Sequence, residues 1–142
     1  MQRDSWPLLA LLHAKQCRLS PVQVQKTLFL VGEYVAGDSP EFYRFEPYHY
    51  GPFDSDVYAD LDALTNRGLV QKVESAAFKG FEYELTPNGI DVAQAQRRRL
   101  NDRQKAYLER VVPWVRSQSF AQLVKAIYKA FPHMRAKSVF RY

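Results

Sequence analysis

From its amino terminus the chain alternates between apolar runs at helical spacing and short stretches broken by proline and glycine. Ser5 precedes Trp6, Pro7 and a leucine run, which predicts a helix over 6–16. LSPVQVQKTLFLVGEYVAG repeats the pattern. Ser20 is placed to cap, Pro21 takes the first helical position, Val24, Thr27, Leu28, Val31 and Val35 fall at helical spacing, and Gly37 is the expected stop. EFYRFEPYHYGPF interrupts it and predicts a short strand over 42–46, then a tight aromatic connection around Pro47, Gly51 and Pro52.

A helix over 54–67 follows, with Asp54 or Ser55 as cap, Val57, Leu61 and Leu64 inward and Gly68 past its end. Residues 69–74 and 81–85 predict two strands joined by the tip SAAFKG. In the second, Phe81, Tyr83 and Leu85 alternate with Glu82 and Glu84, so one face is expected buried and one wet. Thr86-Pro87 opens a largely helical stretch to 117, with a break expected at Asn101-Asp102 and a kink expected one turn before Pro113. Ser119 opens the last helix. There Phe120, Leu123, Val124, Ile127, Tyr128 and Phe131 form one stripe, and Pro132 ends it.

The order helix, helix, strand, helix, hairpin, helix predicts an α+β, mainly helical chain. Its expected core is a winged helix-turn-helix with a small antiparallel sheet and extra helices at both ends. The 142 residues suffice for one domain that folds without a metal or disulfide. Cys17 is the sole cysteine, which excludes an internal disulfide and fits a reducing cytoplasm. No apolar run is long enough to span a bilayer, so no membrane partner is expected.

Charge divides the domain. Residues 1–96 carry 8 basic and 13 acidic side chains, whereas 97–142 carry 12 basic and 2 acidic. A basic region attracts phosphates or an acidic protein surface, or serves as a solvated face. With Val57 inward, the outward positions of the 54–67 helix are Ser55, Asp56, Ala59, Asp62, Ala63 and Asn66. Base readout in the major groove needs Arg, Lys, Asn or Gln, so Asn66 alone qualifies. Lys79 is the one cation at the hairpin tip. Arg97, Arg98, Arg99, Arg103 and Lys105 lie within nine residues. Five phosphate contacts from them would give a log K against log salt slope of about −4.5, without sequence readout. Arg135, Lys137 and Arg141 add charge near the end. Alternatively residues 97–142 cover the acidic core of their own chain or of a second copy, and the latter favours a homo-oligomer.

No catalytic residues, metal or cofactor are expected. His13 and Cys17 supply two ligands at most, with only His49 and His133 besides. Asp54, Asp56, Asp60 and Asp62 scatter around a helix axis, unlike a calcium loop. Phe42, Tyr43, Phe45, Tyr48, Tyr50 and Phe53 read as core, or as a platform for a ligand, base or peptide.

VQVQKTLFLVGEY, YRFEPYHYGPFDSDVYADLDAL and FAQLVKAIYKAFPHMRAKS together resemble the YwgA-type and Panacea-type winged-helix proteins of bacteria and their phages. The matching residues are Gln25, Lys26, Tyr50, Gly51, Pro52, Tyr128, Phe131 and Pro132. The resemblance covers most of residues 20–138, without a full match to the Panacea core, and implies an antitoxin-like, non-enzymatic regulatory role. Two functions follow as expectations. One is a DNA-associated regulator of transcription or defence that uses the basic C-terminal helices, Asn66 and Lys79. The other is an adaptor that binds a protein, such as a toxin, through Asp56 and Asp62 of the acidic helix and Tyr48 and Tyr50 of the turn.

Overall fold

The computed structural model describes residues 1–36, 38–76 and 79–140. The expected stop at Gly37, the middle of the SAAFKG tip and Arg141 lie outside the described residues. The chain is α+β, with six α-helices and short antiparallel strands among the described residues. The helices are α1 (Ser5–Leu12), α2 (Pro21–Val31), α3 (Ser55–Asn66), α4 (Pro87–Arg97), α5 (Asp102–Ser117) and α6 (Phe120–Ala130). The strands are β1 (Arg18–Leu19), β2 (Glu46–Tyr48), β3 (Gly51–Phe53), β4 (Val70–Glu74) and β5 (Phe81–Leu85).

Side-chain caps set the helix starts. Ser20, Asn101 and Ser119 each close a capping box, with Gln23, Gln104 and Gln122 respectively. Thr86 accepts from the Gly89 amide, and Asp54, not Ser55, caps α3 by accepting from the Asp56 amide. The break near Asn101 is present: α4 ends at Arg97 and the buried Leu100 anchors the turn into α5. α5 runs unbroken through Pro113, which is exposed.

Three expectations are corrected. The first helix ends at Leu12, and residues 15–17 form a 3-10 turn in which Gln16 and Cys17 take positive φ of 58° and 55°. Pairing of Arg18 with Glu84 and of Leu19 with Tyr83 pulls this segment into the sheet and outweighs its helical spacing. Residues 42–45 are not a strand. Phe42 and Tyr43 are buried plugs, and the strand starts at Glu46, pairing with β3 in register Glu46↔Phe53 and Tyr48↔Gly51. Third, Glu82 and Glu84 are not on a wet face. The sheet order is β1-β5-β4, so β5 is central, and Glu82 is buried against Arg116 of α5 at 3.1 Å.

α2 is the axis of the core, buried continuously from Val24 to Val31. α1 is buried from Ser5 to Leu11 and packs against α4, while α5 packs against α2. In α6 the stripe is buried at Leu123, Val124, Ile127 and Tyr128, but Phe120 at its start is exposed.

Gly89, in the first turn of α4, touches the end of α3's connection to β4. A Cβ there would sit 1.9 Å from the Leu69 carbonyl oxygen, whereas one at Gly68 (φ +76°) would meet nothing within 4 Å. Gly89→Ala is expected to cost about 2–3 kcal/mol by displacing backbone, and Gly68→Ala about 1 kcal/mol through its left-handed conformation. Urea midpoints of the two variants check this, and an equal or smaller loss at Gly89 would contradict the packing.

Candidate interaction site

The site begins at the carboxyl end of β3, where α2 holds the chain that becomes α3. The Gln25 side chain donates from Nε2 to the Asp54 carbonyl at 2.9 Å, and its Oε1 accepts from the Asp54 amide at 3.1 Å. One buried amide thereby pairs both polar groups of a single residue, in place of a neighbouring strand. Next to it the buried Lys26 donates from Nζ to the Pro52 carbonyl at 3.0 Å. Burial pushes the Lys26 ammonium down to about 8. Gly51 (φ +102°) lets the turn lie against this lysine and Tyr128. A Cβ there would be 3.4 Å from the Tyr128 ring and 3.8 Å from Lys26 Cε.

α3 leaves this clamp with Val57, Leu61 and Leu64 fully buried. Ser55, Asp56, Ala59, Asp62, Ala63 and Asn66 are all exposed, as the helical phase predicts. Arg3 sits at the near edge, with Nε 2.9 Å from Asp60 and Nη1 3.4 Å from Asp56. Tyr43 Oη also donates to Asp60 at 2.6 Å. The hydrogen bond to Asp60 raises the Arg3 pKa, and burial followed by that same carboxylate raises the Tyr43 hydroxyl. Lys72 lies 3.9 Å from Asp62. Asp60 is therefore a structural carboxylate, while Asp56 and Asp62 keep side chains 57% and 63% exposed.

The aromatic stretch divides. Phe42 packs edge-on to Trp6 and Phe45 edge-on to Phe29, so these belong to the core. Tyr48 stacks on His49 at 4.2 Å and on Phe53 at 5.0 Å, and Phe53 meets Tyr58 of α3 at 5.7 Å. Tyr48 thus extends the α3 surface. Tyr50 turns instead to Phe120 at 5.3 Å, and Phe120 to Phe140 at 5.8 Å. The Val139 amide donates to the His49 carbonyl at 2.9 Å, laying the C-terminal segment on the hairpin. The sequence grouping of Tyr48 with Tyr50 is therefore split between two neighbourhoods.

The basic residues of 97–105 have separate tasks. Arg97 pairs with Glu109 and donates to His13 Nε2 at 3.3 Å. Burial first, and Arg97 second, lower the His13 pKa. Because α1 ends at Leu12, His13 and Cys17 do not share a helical face. Arg103 donates to the Tyr34 carbonyl at 2.8 Å and Gln104 to the Val35 carbonyl at 3.2 Å. They cap the π-helical turn Gly32–Ala36 that ends α2. Arg98 and Arg99 are exposed in the turn after α4, Lys105 is half-buried, and Lys79 is exposed at the hairpin end. Asn66 is exposed at the last residue of α3. The sequence reading missed Arg3 and Arg116, which join distant carboxylates. Nothing local to either marks its partner, which lies 57 residues away for Arg3 and 34 for Arg116.

Comparison with protein-family models, curated proteins and solved structures gives no match to this chain. Among the described residues no helix is long and apolar enough to cross a membrane, and no group of three His, Cys, Asp or Glu side chains is placed to hold a metal ion.

The clamp has a pH signature. Folded Lys26 gives up its proton near 8, whereas an unfolded lysine does so near 10.4, so between these values the unfolded chain binds more protons. Stability from this group therefore rises as pH climbs from 8 toward 10.4, by at most about 1.4 kcal/mol per pH unit. Lys26→Met is expected to abolish the rise. The wild-type minus variant difference in urea midpoint, followed from pH 7.5 to 10, reads it out. A difference that does not change with pH contradicts the burial.

Proposed function

We propose that the protein is a non-enzymatic regulatory adaptor of winged-helix type. It binds a basic surface of a partner protein through α3 and Tyr48. The winged-helix reading is supported by the order α1-β1-α2-α3-β4-β5 with sheet order β1-β5-β4, into which the β2–β3 hairpin is inserted. The observation that carries the partner class is the outer row of α3: Ala59 and Ala63 flanked by the exposed Asp56 and Asp62. Small residues make a flat seat, and exposed carboxylates repel phosphates while attracting arginines. Tyr48 adds an amphipathic ring of the kind enriched at protein interfaces. The family resemblance carried by Gln25, Lys26, Gly51 and Pro52 agrees with an antitoxin-like role, with a toxin as one such partner; the lone Cys17 fits a cytoplasmic location, and the charge division of the chain fits a homo-oligomer.

A DNA-associated regulator is the second reading. It is favoured by the exposed Arg98, Arg99 and Lys79. Arg97 and Arg103 are engaged within the fold, so the salt slope of this reading falls well short of five contacts.

One experiment separates the two. The tagged protein is purified from cells that encode it, and the same preparations are titrated with random duplex at about 50 mM salt, where backbone contacts are strong. The adaptor reading expects a stoichiometric protein partner that is lost from Asp56→Asn/Asp62→Asn and kept by Arg98→Ala/Arg99→Ala, with no duplex binding. Duplex binding lost from the arginine variant and tightened in the aspartate variant would overturn it.

A further inference from the structure

The near edge of α3 carries a guanidinium seat that is filled from within the chain. Arg3 donates from Nε to Asp60 Oδ2 at 2.9 Å and from Nη2 to Asp60 Oδ1 at 3.0 Å, a two-point fork. Its third nitrogen, Nη1, reaches Asp56 Oδ2 at 3.4 Å, and the guanidinium carbon lies 4.8 Å from the centre of the Tyr43 ring. The Arg3 backbone is anchored independently of this contact. Its carbonyl accepts from the Trp6 amide at 3.1 Å, at the lead-in to α1, and the neighbouring Asp4 pairs with Arg67 at 3.4 Å. The Arg3 side chain is 33% exposed, so rotation about its own bonds suffices to empty the seat. A cleft of about 510 Å³ opens beside it. Among its described lining residues, the carboxylates Asp4, Glu41, Asp54, Asp56 and Asp60 outnumber the cations Arg3 and Arg44.

We propose that Arg3 is an internal stand-in for an arginine of the partner protein: it occupies the seat formed by Asp60, Asp56 and Tyr43 at rest, and the partner's arginine displaces it. The proposal rests on the adaptor reading, in which α3 meets a basic protein surface, and names the side chain which that surface supplies. Two parallel acceptors over a ring face suit a planar guanidinium fork, whereas an ammonium is a compact point charge that cannot span them. A metal ion is not the occupant the geometry favours, because no three His, Cys, Asp or Glu side chains among the described residues are placed to hold one. The excess of carboxylates along the cleft persists with Arg3 and Arg44 in place, so the field there draws in a further cation. Exchange of one guanidinium for another conserves the contacts of Asp60. That carboxylate is fixed from its other side by Tyr43 Oη at 2.6 Å, whichever arginine it holds. The side chain that fills the seat also lowers its affinity, since a site binds in proportion to the fraction of molecules in which it is open. A surface without an arginine at this place gains nothing from opening it.

The test uses the full chain and two fluorescently labelled synthetic peptides, one alternating arginine with serine and the other its lysine counterpart. Anisotropy titrations compare the wild type with Arg3→Gln, Arg3→Lys and Asp56→Asn/Asp62→Asn, and a thermal melt confirms that each variant is folded. The expected result is saturable binding of the arginine peptide, tighter by about tenfold in Arg3→Gln, as for a wild-type site open in about one molecule in ten. Arg3→Lys conserves charge but loses the fork, so it also binds the arginine peptide several-fold tighter than the wild type does. The lysine peptide binds more weakly throughout, and Asp56→Asn/Asp62→Asn weakens both. A second measurement needs no variant to fold. The Arg3 Nε–H resonance, identified by NMR as the one missing from Arg3→Lys, is expected to shift as the arginine peptide saturates the wild type. Binding that is lost with the aspartates but is equal in the wild type and Arg3→Lys overturns this proposal and leaves the adaptor reading standing, as does an Arg3 resonance that does not move at saturation. No binding of either peptide, or binding indifferent to Asp56→Asn/Asp62→Asn, overturns both.

Discussion

The arrangement rests on one buried amide. Gln25, fully inside the core on α2, satisfies both backbone groups of Asp54. Asp54 then directs its own carboxylate outward, with Oδ1 accepting from the Asp56 amide to start α3 and Oδ2 from the Arg44 amide to anchor the approaching loop. A glutamine with no partner in this position would carry a desolvation cost of about 1–3 kcal/mol, so the turn and the helix are held where the amide needs them. Lys26 repeats the logic one residue on, at Pro52. The orientation of α3's exposed face is thus set from below, by polar groups in the core, and from the side by the aromatic contact of Phe53 with Tyr58.

The charge division of the chain looks different once folded. Basic side chains from the second part reach carboxylates and carbonyls of the first. Arg116 meets Glu82 and the Arg18 carbonyl, and Arg103 meets the Tyr34 carbonyl. These contacts join the C-terminal helices to the sheet and to the end of α2, so part of the apparent +10 of residues 97–142 is internal mortar. The acidic excess on α3 is compensated in part, by Arg3 at Asp60 and Asp56 and by Lys72 at Asp62. What remains outward on α3 is a negative row, which suits a basic protein surface better than a polyanion.

Much of the fold is legible in the residues because its signals are local. The Ser20, Thr86, Asn101 and Ser119 caps act within a few residues, and the phase of α3 follows from three leucine and valine positions at helical spacing. The misjudged segments are those decided by distant partners. Residues 13–17 leave the helix because Arg18 and Leu19 pair with β5. Phe42 abandons a strand because Gly32 leaves room for its ring, which would lie 2.7 Å from a Cβ there. Alternation in β5 suggests a wet face, but alternation cannot reveal that α5 supplies Arg116 to cover it. Of the site, the exposed α3 row was readable from phase. The separation of Tyr48 from Tyr50 was not, because it depends on which rings the hairpin meets.

The central claim is that Gln25 holds the start of α3. Amide hydrogen exchange at Asp54, followed by NMR in the wild type and in Gln25→Ala, tests it directly. The account expects the Asp54 amide to be protected in the wild type and to lose at least about tenfold of that protection in the variant, while amides in the middle of α5 change far less, as for a local opening. Undiminished protection at Asp54 in Gln25→Ala, or an equal loss along the whole chain, would contradict it.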